Sequence, residues 1–102
     1  MKSEEKQENN TPAIKGIRLS KEFKRDLTKL KPEILVSAEY IEVFHCLQFG
    51  KSLPPKYKDH SLQGKLAGYR DCHIFSDLVL IYSVVDEVLN LVRLNTHSEI
   101  FK

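Results

Sequence analysis

Hydrophobic and polar positions change period several times along the chain, and each change marks an element. Ile14, Ile17 and Leu19 set a short first strand in IKGIRL, with Gly16 as an irregularity inside it. Ser20 is a suitable N-cap for a helix running to about Lys31, in which Phe23, Leu27 and Leu30 recur at i, i+4 and i+7 as one apolar stripe. Pro32 ends that helix and fits the first turn of another. The second helix is predicted over Pro32 to Phe49, burying Ile34, Leu35, Ala38, Ile41, Phe44 and Leu47, with Gly50 as its stop. Together the two make a helical hairpin.

The helical period is lost from Lys51 to Leu66, where Pro54, Pro55 and Gly64 predict a loop carrying polar groups. Three strand-type runs follow: YRDCHIF, LVLIYSVV and VLNLVRL. The middle run is apolar on both faces, as a central strand is, and the flanking runs alternate. The joints Ser76-Asp77 and Asp86-Glu87 are of hairpin length, so the runs form an antiparallel meander joined by the first strand. Tyr69, Asp71, His73 and Phe75 share one face of the first run, and Leu89, Leu91 and Arg93 share one of the last. Thr96 to Glu99 has the T-x-x-E capping pattern, which predicts a single terminal turn with His97 and Phe101 on one side. Residues 1–11 are polar and without period, and read as a disordered tail. The fold class is therefore α+β, one small domain over residues 12–102.

Composition narrows the function classes. Hydrophobic residues are 41% and charged residues 29% of the chain, and no apolar run approaches the roughly 18 residues that cross a bilayer. The N-terminus carries charges where the apolar part of a signal peptide would stand, which points to the cytoplasm and away from a membrane partner. Cys46 and Cys72 fit that compartment as free thiols. His45-Cys46 and Cys72-His73 do not make a zinc site, because neighbours in a helix or strand point apart and there is no C-x2-C spacing. No metal and no cofactor are expected.

Charge is unevenly placed. Lys15 to Lys31 holds seven Lys or Arg against Glu22 and Asp26, and Lys51 to Arg70 holds Lys51, Lys56, Lys58, Lys65 and Arg70 against Asp59 alone. If both segments face the same way, they make a basic surface suited to a polyphosphate or an acidic protein. Lys56, Lys58, Lys65 and Arg70 are the candidate substrate-binding cations.

Three of the four histidines, His60, His73 and His97, fall in the last 45 residues and can be gathered at one end of a small sheet. His45, among apolar neighbours in the second helix, reads as structural. The stretches YKDHSLQG (57–64), GYRDCH (68–73), SDLVLIY (76–82) and RLNTH (93–97), in this order and spacing, resemble the YafQ branch of the RelE/ParE superfamily of bacterial toxins. The resemblance covers about residues 14–101. It implies a RelE-like fold and an mRNA endoribonuclease that acts on message in the ribosome and inhibits translation. It also implies a cognate antitoxin as partner, with operator DNA met only through the antitoxin complex. The functional positions it implies are His60, His73, Asp77, Arg93, His97 and Phe101. Leu78 stands where well-known members carry Trp, and Ser76 replaces a Pro, which alters any base stacking at that point. Two alternatives remain open at this level: a non-hydrolytic, gyrase-poisoning toxin of the same fold, and a degenerate RNA-binding member.

The chemistry asks for the same residue types. RNA cut by its own 2′-hydroxyl needs a base, an acid for the 5′-oxygen and fixed positive charge at the phosphorane. Histidine can serve as either proton carrier, and the guanidinium of Arg93 offers a planar fork to phosphate. Asp77 would orient and charge a histidine, and Phe101 would stack a base. His97, four residues after Arg93, is the imidazole expected to share the scissile phosphate with that guanidinium. Which histidine is acid and which is base is not legible in the sequence.

Overall fold

A computed structural model describes residues 13–102, so the tail assigned to residues 1–11 lies outside the described residues. Strand β1 (Gly16–Leu19) leads into helices α1 (Lys21–Leu27), α2 (Pro32–Leu35) and α3 (Ala38–Gln48). A 3-10 turn (Pro55–Tyr57), a two-residue strand β2 (His60–Ser61) and a second 3-10 turn (Gly64–Leu66) follow. The chain ends with β3 (Arg70–Phe75), β4 (Leu78–Val85), β5 (Val88–Asn95) and a last helical turn α4 (His97–Ile100). The strands form one sheet in the order β1-β5-β4-β3-β2, antiparallel except that β1 runs parallel to β5. The α+β class, the meander and β4 as its centre agree with the sequence reading. Among the described residues no helix is long and apolar enough to cross a membrane.

Two helical expectations are corrected. The expected helix over residues 32–49 is two helices, because Ser37 leaves helical geometry and its hydroxyl accepts the Tyr40 N–H at 3.2 Å as the N-cap of α3. The restart turns the helix: its inward face is Tyr40, Val43, Phe44 and Leu47, while Leu35 and Ile41, expected inside, are exposed. Helix α1 stops at Leu27 rather than Lys31, although i→i+3 bonds from the Lys29 and Leu30 N–H groups keep Leu27 and Leu30 on the core. Gly50 stops α3 as expected: it takes φ 67°, and the Lys51 N–H returns to the Cys46 carbonyl at 2.9 Å.

The core lies between the helices and one sheet face, where Phe23, Val43, Leu47 and Tyr57 meet Cys72, Ile74, Leu80, Tyr82, Leu89, Leu91 and Leu94. Leu78, the residue in place of Trp, is also there at 7% exposure, so it serves packing rather than stacking. Alternation sends Asp71 and His73 of β3, and Val79, Ile81 and Ser83 of β4, to the opposite face. Extra residues at Ile74 and Val92 shift the register there, and such bulges re-aim the side chains beyond them.

Candidate active site

The ladders place the candidate residues. β2, inside the segment read as a loop, pairs His60 with Asp71, and β3 pairs Asp71 with Ile81 and His73 with Val79. His60, Asp71 and His73 therefore share the face away from the helices, with Asp71 beside both imidazoles. The Asp71 carboxylate is only 3% exposed and its Oδ1 has no hydrogen-bond partner, yet it lies 3.5 Å from Nε2 of His73. His60 is exposed, with its Nδ1 2.7 Å from the Lys58 carbonyl oxygen. A carbonyl only accepts, so Nδ1 holds the proton and the neutral ring presents an open lone pair at Nε2.

The remaining candidates stand around the same end of the sheet. Val79 pairs onward with Asn95, so His73 and Asn95 are two interstrand steps apart, about 10 Å, and His97 follows two residues later. His97 and Phe101 stack on each other with ring centroids 4.6 Å apart, and Phe101 is 39% exposed. Asp77, in the β3–β4 turn, lines a separate cavity of about 470 Å³ with Thr96 and Leu30. No hydrogen bond or ion pair joins His97 or Asp77 to His60 or His73 among the described residues.

Arg93 is engaged elsewhere. β1 pairs only as far as Leu91, which leaves the next part of the β5 edge open, and Asp26 of α1 fills it. Its carboxylate accepts from Arg93 Nε at 2.8 Å, Arg93 Nη2 at 3.2 Å, the Leu94 N–H at 2.8 Å and Asn95 Nδ2 at 3.1 Å. Burial pushes the Asp26 carboxyl up, but the bonds from Arg93, Leu94 and Asn95 and the guanidinium charge outweigh it and hold the group below its ordinary range. Arg93 is thus held by a clamp from α1, and no hydrogen bond joins it to His97 among the described residues.

The lysines divide. Lys56 and Lys58 line a cavity of about 440 Å³ together with His73, whereas Lys65 is exposed on the second 3-10 turn. Arg70 shares the helix face with Cys72 and makes two 3.2 Å bonds to Asp59, whose Oδ1 also accepts the Tyr82 hydroxyl at 2.6 Å. The two basic segments are separated along the sheet: α1 packs on β5 and the lysine loop flanks β3. His45 is exposed and stacks on Phe49, with centroids 4.7 Å apart. Cys46 and Cys72 are both free and buried, and burial pushes each thiol up.

Comparison with known proteins decides the family. The family described as the bacterial toxin of type II toxin-antitoxin system, YafQ, matches residues 15–102. The chain belongs to the YafQ toxin family. A putative toxin YafQ of Haemophilus influenzae is 51% identical over 87 residues, covering 78% of this chain and 85% of that protein. The mRNA interferase toxin YafQ of Escherichia coli K12 is 36% identical over 87 residues, 85% of each chain. Among solved structures, the Escherichia coli DinJ-YafQ toxin-antitoxin complex contains a chain that superposes with a TM-score of 0.73 at 32% identity, covering 84% of this chain and 96% of that one. YafQ of Escherichia coli BL21(DE3) superposes with a TM-score of 0.72 at 31% identity, covering 84% and 97%. The RelE-like α+β fold expected from the motifs is therefore that of YafQ structures.

Two carboxylates beside the candidate residues are absent from the set the sequence offers. Asp71 shares a face with His73, but its pairing with His60 depends on β2, a two-residue strand too short to read. Asp26 had a visible signal: three residues after Phe23, it sits on the apolar stripe of α1, where a charge demands a partner.

Proposed function

We propose that this chain is an mRNA endoribonuclease, the toxin of a type II pair, cutting by attack of the ribose 2′-hydroxyl on the adjacent phosphorus. The observation that carries this reading is the pair of histidines that neighbour the buried Asp71, His60 across the β2–β3 ladder and His73 along β3 with its Nε2 3.5 Å from the carboxylate. The Nε2 lone pair of His60 takes the 2′-hydroxyl proton as the 2′-oxygen bonds to phosphorus. Protonated His73, its charge balanced by Asp71, gives a proton to the departing 5′-oxygen, leaving a 2′,3′-cyclic phosphate. Arg93, aimed by Asp26, stabilises the phosphorane, and the stacked His97–Phe101 pair offers a ring to a base. Lys56 and Lys58 hold flanking phosphates beside His73. Asp77 serves as a hydrogen-bond acceptor on the far side of Phe75, and Arg70 serves the fold through Asp59. The partner is a cognate antitoxin whose acidic segment covers the lysines and the imidazoles, and the substrate is message on the ribosome.

The test is single-turnover cleavage by purified, folded variants, with message presented free and on ribosomes. His60→Ala and His73→Ala each lower the rate about 100-fold, the loss typical of a proton carrier, and each removes one limb of the pH–rate profile. His97→Ala and Arg93→Ala lower it through base and phosphate contacts, with both limbs kept. Loss of a limb in His97→Ala with both kept in His73→Ala would transfer the acid role to His97. DNA-supercoiling defects with intact message would replace the whole reading by the gyrase-poisoning one.

A further inference from the structure

A cavity of about 720 Å³ lies at the other end of the sheet, by the β4–β5 hairpin. The register sets its floor in one row: Ser83 pairs with Asn90, Asn90 pairs with Arg18 of β1, and Tyr69 stands next to Ser83, one step past the Arg70–Tyr82 pair. Ser83 is 5% exposed and lines the cavity. Asn90 spends one N–H on the Val88 carbonyl at 3.3 Å and keeps its carboxamide oxygen open. Arg18 is exposed, and Asp86 at the hairpin tip is the single carboxylate of the lining. An aromatic ring, two neutral hydrogen-bonding groups and a guanidinium in one row are the handles that nucleotides take.

Position connects this row to the imidazoles. Tyr69 immediately precedes β3, two residues before Asp71 and four before His73, about 13 Å from the latter at the rise of an extended chain. A strand of RNA laid along the axis of β3, from His73 past Asp71 and His60, reaches the cavity at the Tyr69 end. We propose that this trough is a subsite for an RNA nucleotide flanking the bond that is cut. The Tyr69 ring stacks its base, Asn90 and Ser83 bond the base edge, and Arg18 holds a phosphate, with Asp86 repelling phosphate from the hairpin tip. Continuity with the reacting row favours RNA over a protein segment as the occupant. The proposal rests on the endoribonuclease reading above.

The experiment compares kcat and KM for two oligonucleotides, one long enough to reach the trough and one truncated short of it, each presented free and on ribosomes. The parent prefers the longer RNA by about tenfold, the scale of one stacked base. Tyr69→Leu and Arg18→Glu lose that preference through KM, and Arg18→Glu, at an exposed position, carries the test if Tyr69→Leu unfolds. Retention of the full preference in both folded variants overturns the subsite, as does a parent with no length preference. Weaker antitoxin binding by the same variants at unchanged RNA KM overturns it in favour of a protein segment. A parent that cuts RNA in neither presentation defeats the endoribonuclease reading itself, a result distinct from these.

Discussion

Asp26→Asn is the substitution on which the architecture around Arg93 is most exposed to test. The carboxylate, 4% exposed, accepts four hydrogen bonds: two from Arg93, one from the Leu94 N–H and one from Asn95. An amide of the same shape turns a donor toward these donors and removes the charge opposite the guanidinium. The Arg93 side chain is 26% exposed and regains part of its hydration, which sets the loss at the lower end of the range for a broken buried pair, about 3 kcal/mol. A domain of this size has roughly 5–13 kcal/mol in all, so urea unfolding at neutral pH resolves the change easily. The pH dependence has a definite sign. The folded carboxyl is depressed below its ordinary value of 3.8, so its contribution is full above that pH and is lost as pH falls through the lower folded value. Parent and variant therefore converge on acidification below about pH 4. A loss under about 0.5 kcal/mol at pH 7, a separation too small for a broken buried pair, would refute the clamp.

The other expectations concern single elements. Ser37→Ala removes the N-cap that starts α3 and lowers stability by about 1 kcal/mol in urea titration, and Ser37→Thr restores most of it. The β4–β5 turn holds Asp86 at φ 52° and Glu87 at φ 65°, a primed-turn geometry that favours glycine, so Glu87→Gly raises unfolding free energy by up to about 1 kcal/mol. Tyr82→Phe deletes the 2.6 Å bond to Asp59 and loses about 1 kcal/mol, and a double-mutant cycle with Arg70→Ala shows coupling because both bind one carboxylate.

What the chain determined locally is the set of elements whose cause is local. The i, i+4, i+7 stripe of α1, the Thr96 cap that accepts the Glu99 N–H, the Gly50 stop and the two hairpin joints all depend on residues a few positions apart. The YafQ motifs were legible for the same reason, as short ordered stretches. Ser37 marks the limit of such reading: the apolar spacing from Ile34 to Leu47 looks continuous, and only packing shows that the helix restarts with a different face inward. The site depended on contacts that spacing does not encode. Asp26 meets Arg93 across 67 positions because β1 ends short and leaves a β5 edge to be capped. His60 meets Asp71 because a two-residue strand finds the edge of β3, and Arg70 turns inward because alternation puts it on the side of Cys72. Charged groups are free to pair with whatever the fold brings near them, so their type announces chemistry while their partners belong to the tertiary structure.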